Sequence, residues 1–176
     1  FIVANQNSTD IQFLVLDNNS RISLSNNDSG GTGGRDSTSG NTVLGWNAGA
    51  SIDAGSVVNT FIGHASGSGS LDDAQNNVGV GAETLQGLTT GDSNTVMGAY
   101  SGYTLTTGED NVIIGTDAGF YATTQSDLVL IGRSAGDAIN HDDADGTVAV
   151  GEHSLSALTS GQRNTAVGFE SLKSNT

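Results

Sequence analysis

The side chains able to do chemistry in this chain are carboxylates and aromatics, and the densest acidic run is "HDDADGTVAVGE", His141 to Glu152. It sets Asp143, Asp145, Gly146 and Glu152 at the third, fifth, sixth and twelfth places of a calcium loop, where oxygen ligands converge on a cation and a glycine makes the sharp turn. The first place holds His141, and no amphipathic helical pattern flanks the run. Calcium at Asp143, Asp145 and Glu152 is therefore the lesser reading, a loop insertion the greater one, and no cofactor is expected. A second glycine-rich stretch, "GGTGGRD" from Gly30 to Asp36, has Arg35 where a calcium nonapeptide needs an acid, and nothing recurs at nine residues, so it reads as a linker.

Hydrolysis would need paired acids or a nucleophile with its base. Asp72, Asp73 and Asp117 are available acids, but their positions single out no pair, and His64, His141 and His153 fall at unrelated places. No G-x-S-x-G elbow and no phosphate-binding loop occurs. The chain reads as a non-enzyme. Its aromatics suggest recognition instead: Trp46, His64, Tyr100, Phe120 and Tyr121, with Phe169, stand shortly after glycines that recur along the chain. Sugar rings stack on exposed aromatic faces, which makes these residues candidate receptor contacts, Trp46 foremost; the competing reading packs them between coils or chains. Paired threonines at Thr89–Thr90, Thr106–Thr107 and Thr123–Thr124 raise ice binding, but adjacent strand residues point to opposite faces, leaving one file of hydroxyls and no flat array.

Composition narrows the partners. Nineteen carboxylates against five Lys and Arg give a net charge of −14, too few cations to build a basic face for nucleic acid or an anionic membrane. Neutral sugars or cations are easier partners. There is no Cys and therefore neither a disulfide framework nor a thiolate metal site. No run of 18 apolar residues and no signal-type segment appears, so no membrane insertion is expected. The chain starts at Phe1, as a processed form or a fragment would.

What positions these residues is a repeat. A glycine preceded by an aliphatic pair recurs at Gly45, Gly63, Gly81, Gly98, Gly115, Gly132, Gly151 and Gly168, at spacings of 17 to 19 residues. The residue before it is always aliphatic and the residue three before it always β-branched, so the two share one face of a short strand. The residue between them, Val43, Phe61, Gly79, Val96, Ile113, Leu130, Ala149 and Ala166 in turn, points to the opposite face and is also apolar. Such a strand is expected to be dry on both sides, one side against its own coil and the other against a partner, with Val43, Phe61, Val96, Ile113 and Leu130 as core or interface residues. After the glycine come a small residue at the third position, Gly or Leu at the fourth, and an apolar residue at the seventh in six of seven complete units, Ser70 being the exception. Asn opens six of the eight units and is expected to form a ladder of amides up the stack. The fold expected is all-β: a parallel β-solenoid or β-roll of eight coils over 41–176, ending inside its last repeat. A small β element over 1–28 and a Gly/Ser-rich linker over 29–40 precede it.

The units "NTVLGWNAG", "NTFIGHASG", "NTVMGAYSG" and "NTAVGFESL" resemble the N-T-x-[IV]-G-x-x-[AS] repeats of bacteriophage tail fibres and related virion proteins, and are similar to the head repeats of YadA-like trimeric adhesins. The lead-in "DNNSRISLSNND" is closer to phage-fibre sequence. The resemblance covers about three quarters of the chain. It implies a left-handed parallel β-roll with three chains about one axis, located in a virion tail fibre or at a cell surface. The implied role is a rigid shaft or adhesin segment that presents loops to a host cell-surface glycan or protein. Two other functions compete: a polysaccharide-degrading fibre, and an extracellular filament subunit joined by addition of its Phe1–Asp17 strand to a neighbour.

Overall fold

A computed structural model describes residues 14–16, 21–23 and 40–174. The glycine-rich run 30–36 and most of the expected N-terminal element lie outside the described residues. Within that element β1 (Leu14–Leu16) pairs antiparallel with β2 (Arg21–Ser23).

The rest is a parallel β-solenoid. Eight strands, β3 (Thr42–Leu44), β4 (Thr60–Ile62), β5 (Val78–Val80), β6 (Thr95–Met97), β7 (Val112–Ile114), β8 (Val129–Ile131), β9 (Val148–Val150) and β10 (Thr165–Val167), form one sheet in sequence order. Each pairs in parallel with the next, and every anchor-glycine column stays in register, as in Val96 opposite Ile113 and Ile113 opposite Leu130. We number the coils 1 to 8 by these strands. The longest unit absorbs its extra residues in a 3-10 turn at Asp142–Ala144, before β9. No helix among the described residues is long and apolar enough to cross a membrane.

Each strand stops at the anchor glycine for two reasons. Gly98 has φ 129°, a region that side chains avoid, and a Cβ there would lie 2.6 Å from the carbonyl carbon of Gly115 in the next coil. The glycines therefore stack backbone on backbone down the solenoid. Two and four residues later the chain turns again through left-handed positions, which non-glycine residues such as Tyr100, Asp117 and Leu85 accept at φ 50–58°.

The mid-strand residue points into the coil. Phe61, Val96, Ile113 and Leu130 are fully buried, while Val43 in the first coil is partly buried against the same cluster. Facing them are the small residues three after the glycine and the apolar residues seven after it, Leu88, Leu105, Ala122, Ile139 and Leu158. In coil 2, where Ser70 takes that place, Leu71 fills the interior instead. Volume is balanced within the coil. Where the mid-strand residue is large (Val43, Phe61, Val96, Ile113, Leu130), the residue four after the anchor is Gly; where it is small (Gly79, Ala149, Ala166), that residue is Leu85, Leu155 or Leu172. The cause is contact: a Cβ on Gly136 would sit 2.8 Å from the Leu130 side chain, and one on Gly49 3.2 Å from that of Val43.

Buried polar side chains are paired along the stack, Thr147 Oγ1 and Asp137 Oδ1 apart. The Oδ1 of Asn59 accepts the N–H of Asn77 at 2.9 Å, that of Asn77 the N–H of Asn94 at 3.0 Å, and that of Asn94 the N–H of Asn111 at 3.1 Å. Each Nδ2 donates to a turn carbonyl, as Asn94 does to Gly108 at 2.9 Å. Interior serines do the same work, Ser101 donating to the carbonyl of Ile113 at 3.2 Å.

Candidate receptor-contact surface

Two surfaces stand out against this frame. The first is the outer face of the sheet. With the mid-strand residue turned inward, strand alternation sends the first and third residues of β3 to β10 outward. All sixteen are Thr or aliphatic, without one charge in a chain of net charge −14. Eight levels at strand spacing make a strip about 34 Å long. In the single chain it is half-covered by its own ladder neighbours, and Leu44, Met97 and Val167 are 51%, 45% and 68% exposed.

The second surface is aromatic and comes in two groups. Trp46, 72% exposed, stacks on His64 one coil down, with ring centres 4.9 Å apart and planes 20° from parallel. Both occupy the position directly after the anchor glycine. The same column carries the Arg133–Glu152 ion pair in coils 6 and 7, and ends at the exposed Phe169. The other group lies on coils 4 and 5. Tyr103 stacks on Phe120 with ring centres 4.9 Å apart and planes 8° from parallel, Tyr121 meets Phe120 edge-on at 4.8 Å, and Tyr100 tilts over Tyr103 at 6.0 Å. The five aromatic candidates are thus brought together as Trp46 with His64, and Tyr100 with Phe120 and Tyr121. Tyr103, which joins the second group, was missed. Its signal was present: Tyr103 and Phe120 share the fifth place after their glycines, so a solenoid must stack them.

The acidic candidates are spread out. Asp145 accepts the N–H of Ser126 at 2.9 Å, Asp143 pairs with His141 at 3.5 Å, and Glu152 pairs with Arg133 and lies 3.8 Å from His153. Among the described residues no three His, Asp or Glu side chains group to hold a metal ion. Asp72 and Asp73 are exposed. The threonines behave as ladder parts, Thr89 and Thr106 donating their hydroxyls to carbonyls one coil on at 3.0 and 2.9 Å, while Thr90, Thr107 and Thr124 form one exposed file.

Three carboxyls titrate away from their usual range. Burial pushes Asp137 up, against hydrogen bonds from nearby backbone and the charge of His153, with Asp117 adding repulsion. Asp53 is held low by a hydrogen bond from the Ser56 side chain and by backbone N–H groups, including those of Ser56 and Asp73. Glu170 is lowered by Lys173, 2.7 Å away. No protein-family model, curated protein or solved structure matches the chain.

Proposed function

We propose that this chain is a shaft segment of an extracellular fibre, of the phage tail-fibre kind, in which three copies stand in parallel and present their outer turns to a host-cell surface. The observation that carries the reading is the uncharged strip on the outer face of the sheet. A contiguous apolar patch of that length marks an association surface. Its residues keep one register over eight coils, so identical chains about a common axis would meet level by level with like against like. No charge would be buried in doing so, and the carboxylates would stay in water on the remaining faces. The mechanism is mechanical and multivalent. Stacked coils resist bending because each is paired along its whole strand with its neighbours. Three copies of every outer turn multiply weak contacts with a surface glycan or protein.

Native mass measurement tests this: the expected species has three times the 17.7 kDa mass of the chain, and Ile114→Asp, in the middle of the strip, should shift it to monomer while leaving the β-sheet circular dichroism in place. A monomeric parent chain at micromolar concentration would remove the reading.

A further inference from the structure

The aromatic group on coils 4 and 5 has a frame that the Trp46–His64 pair lacks. In the column two after the anchor glycine, Tyr100 lies between Glu83 and Asp117; in the column five after it, Tyr103 and Phe120 lie between Gln86 and Asp137. The rings therefore sit on a shelf two coils tall, with an acid and an amide on one side and two acids on the other. Tyr100 and Tyr121 are 39% and 55% exposed. Among the described residues the three phenol oxygens of the shelf make no hydrogen bond, and the Gln86 amide reaches Glu83 only at 3.5 Å.

We propose that this shelf, Tyr100, Tyr103, Phe120 and Tyr121, binds an uncharged saccharide, the sugar lying on the exposed rings with its hydroxyls bonded to the framing carboxylates, amide and phenols. The inference rests on the attachment reading above and names its ligand class. Three features select a neutral sugar. Carboxylates at Glu83, Asp117 and Asp137 repel acidic sugars and phosphates. The shelf offers donors as well as acceptors, and a bare organic cation would leave the phenol and amide hydrogens unused. Its rings, on two levels about 5 Å apart, suit one or two pyranose rings and make a patch far smaller than the roughly 800 Å² per partner of a stable protein interface.

Saturation-transfer NMR and calorimetry on the 176-residue chain, with maltohexaose, cellohexaose, mannohexaose and chitohexaose as neutral probes and oligomers of alginate and polysialic acid as acidic ones, test it. The expected result is saturable binding of at least one neutral probe and none of the acidic probes. Affinity should fall about tenfold in Tyr121→Ala and in Tyr100→Asn, and stay unchanged in Thr90→Ala, an exposed position outside both aromatic groups. Asn tolerates the left-handed backbone at position 100; should that variant unfold, Tyr121→Ala decides alone. No neutral probe bound, binding that survives both tyrosine substitutions, a preference for acidic probes, or displacement by choline or an arginine-rich peptide would overturn the proposal. Failure here is separable from failure of the fibre reading. A trimeric chain that attaches to cells regardless of these sugars keeps the fibre and loses the shelf. A monomer that binds them keeps the shelf and loses the fibre.

Discussion

Coils 1 to 5 and coils 6 and 7 follow the same repeat, yet they treat one buried column differently. From Asn41 to Asn111 the column is five asparagines, each accepting from the coil below and donating to a turn carbonyl. In coil 6 the place is taken by Leu128, fully buried, whose N–H still reaches Asn111 Oδ1 at 2.9 Å. In coil 7 it is taken by Thr147, whose hydroxyl is buried without a partner. The other buried side-chain polar atom without one among the described residues, Oδ1 of Asp137, lies in coil 6. The contrast teaches that the column needs closure more than it needs amides. A leucine ends the ladder without stranding a polar side-chain atom, whereas a threonine carries a hydroxyl into a place where nothing answers it.

The largest effect is expected from breaking the intact region. Asn94→Ala would leave the Gly108 carbonyl and the Asn111 N–H unanswered inside the stack and should cost about 3–5 kcal/mol in urea unfolding. The same change at the half-buried Asn164, where the amide bonds only to Gly161, should cost about 1 kcal/mol. Equal costs would mean that the ladder adds nothing beyond local turns. Repair of the irregular region should be smaller and opposite in sign: Thr147→Val keeps the shape, removes the orphan hydroxyl and should raise stability by about 1 kcal/mol. An unchanged urea midpoint would show that the hydroxyl finds a partner in solution.

The smallest effect concerns Asp137 and depends on pH. Its carboxyl is raised in the fold, so protonation favours the folded state: its stabilising contribution is present below the ordinary aspartate value of 3.8 and lost as pH rises through the raised one. Asp137→Asn should accordingly stabilise at pH 7 by less than about 0.5 kcal/mol, given the partial exposure of the group, and the gain should vanish toward pH 3. A gain that grows on acidification would reverse the assignment.

Much of the fold could be read from the repeat itself. The columns before the glycines, from Thr42–Leu44 to Thr165–Val167, are the strands, and the glycine that never varies is the one with no room for a Cβ. Which side of the strand faces inward could not be read from alternation, because Val96 and its flanks Thr95 and Met97 are all compatible with a dry face. The decision comes from Ser101 and Leu105, which return across the coil to cover Val96 and leave Met97 outside. The column of Gly or Leu four after the anchor was visible as a pattern, but its link to mid-strand size was not, since Gly136 and Leu130 meet only once the coil closes. At the candidate site, Trp46 is exposed and also stacks on His64 of the next coil. Tyr103 shares its place, five after the anchor, with Phe120, and its part in the group shows only when coils 4 and 5 are stacked.

The balance of bulk between mid-strand and fourth positions has a consequence for how such a chain changes length. Each coil arrives already filled, and at the anchor column its contact with the next is glycine backbone on glycine backbone from Gly45 to Gly168. Duplicating or deleting a whole unit at the DNA level therefore brings together surfaces that already match. Cuts inside a unit would separate a small residue from its compensating leucine. Lengthening and shortening by complete coils is the tolerated route, and the height of the solenoid becomes a quantity that recombination can set in steps of one strand.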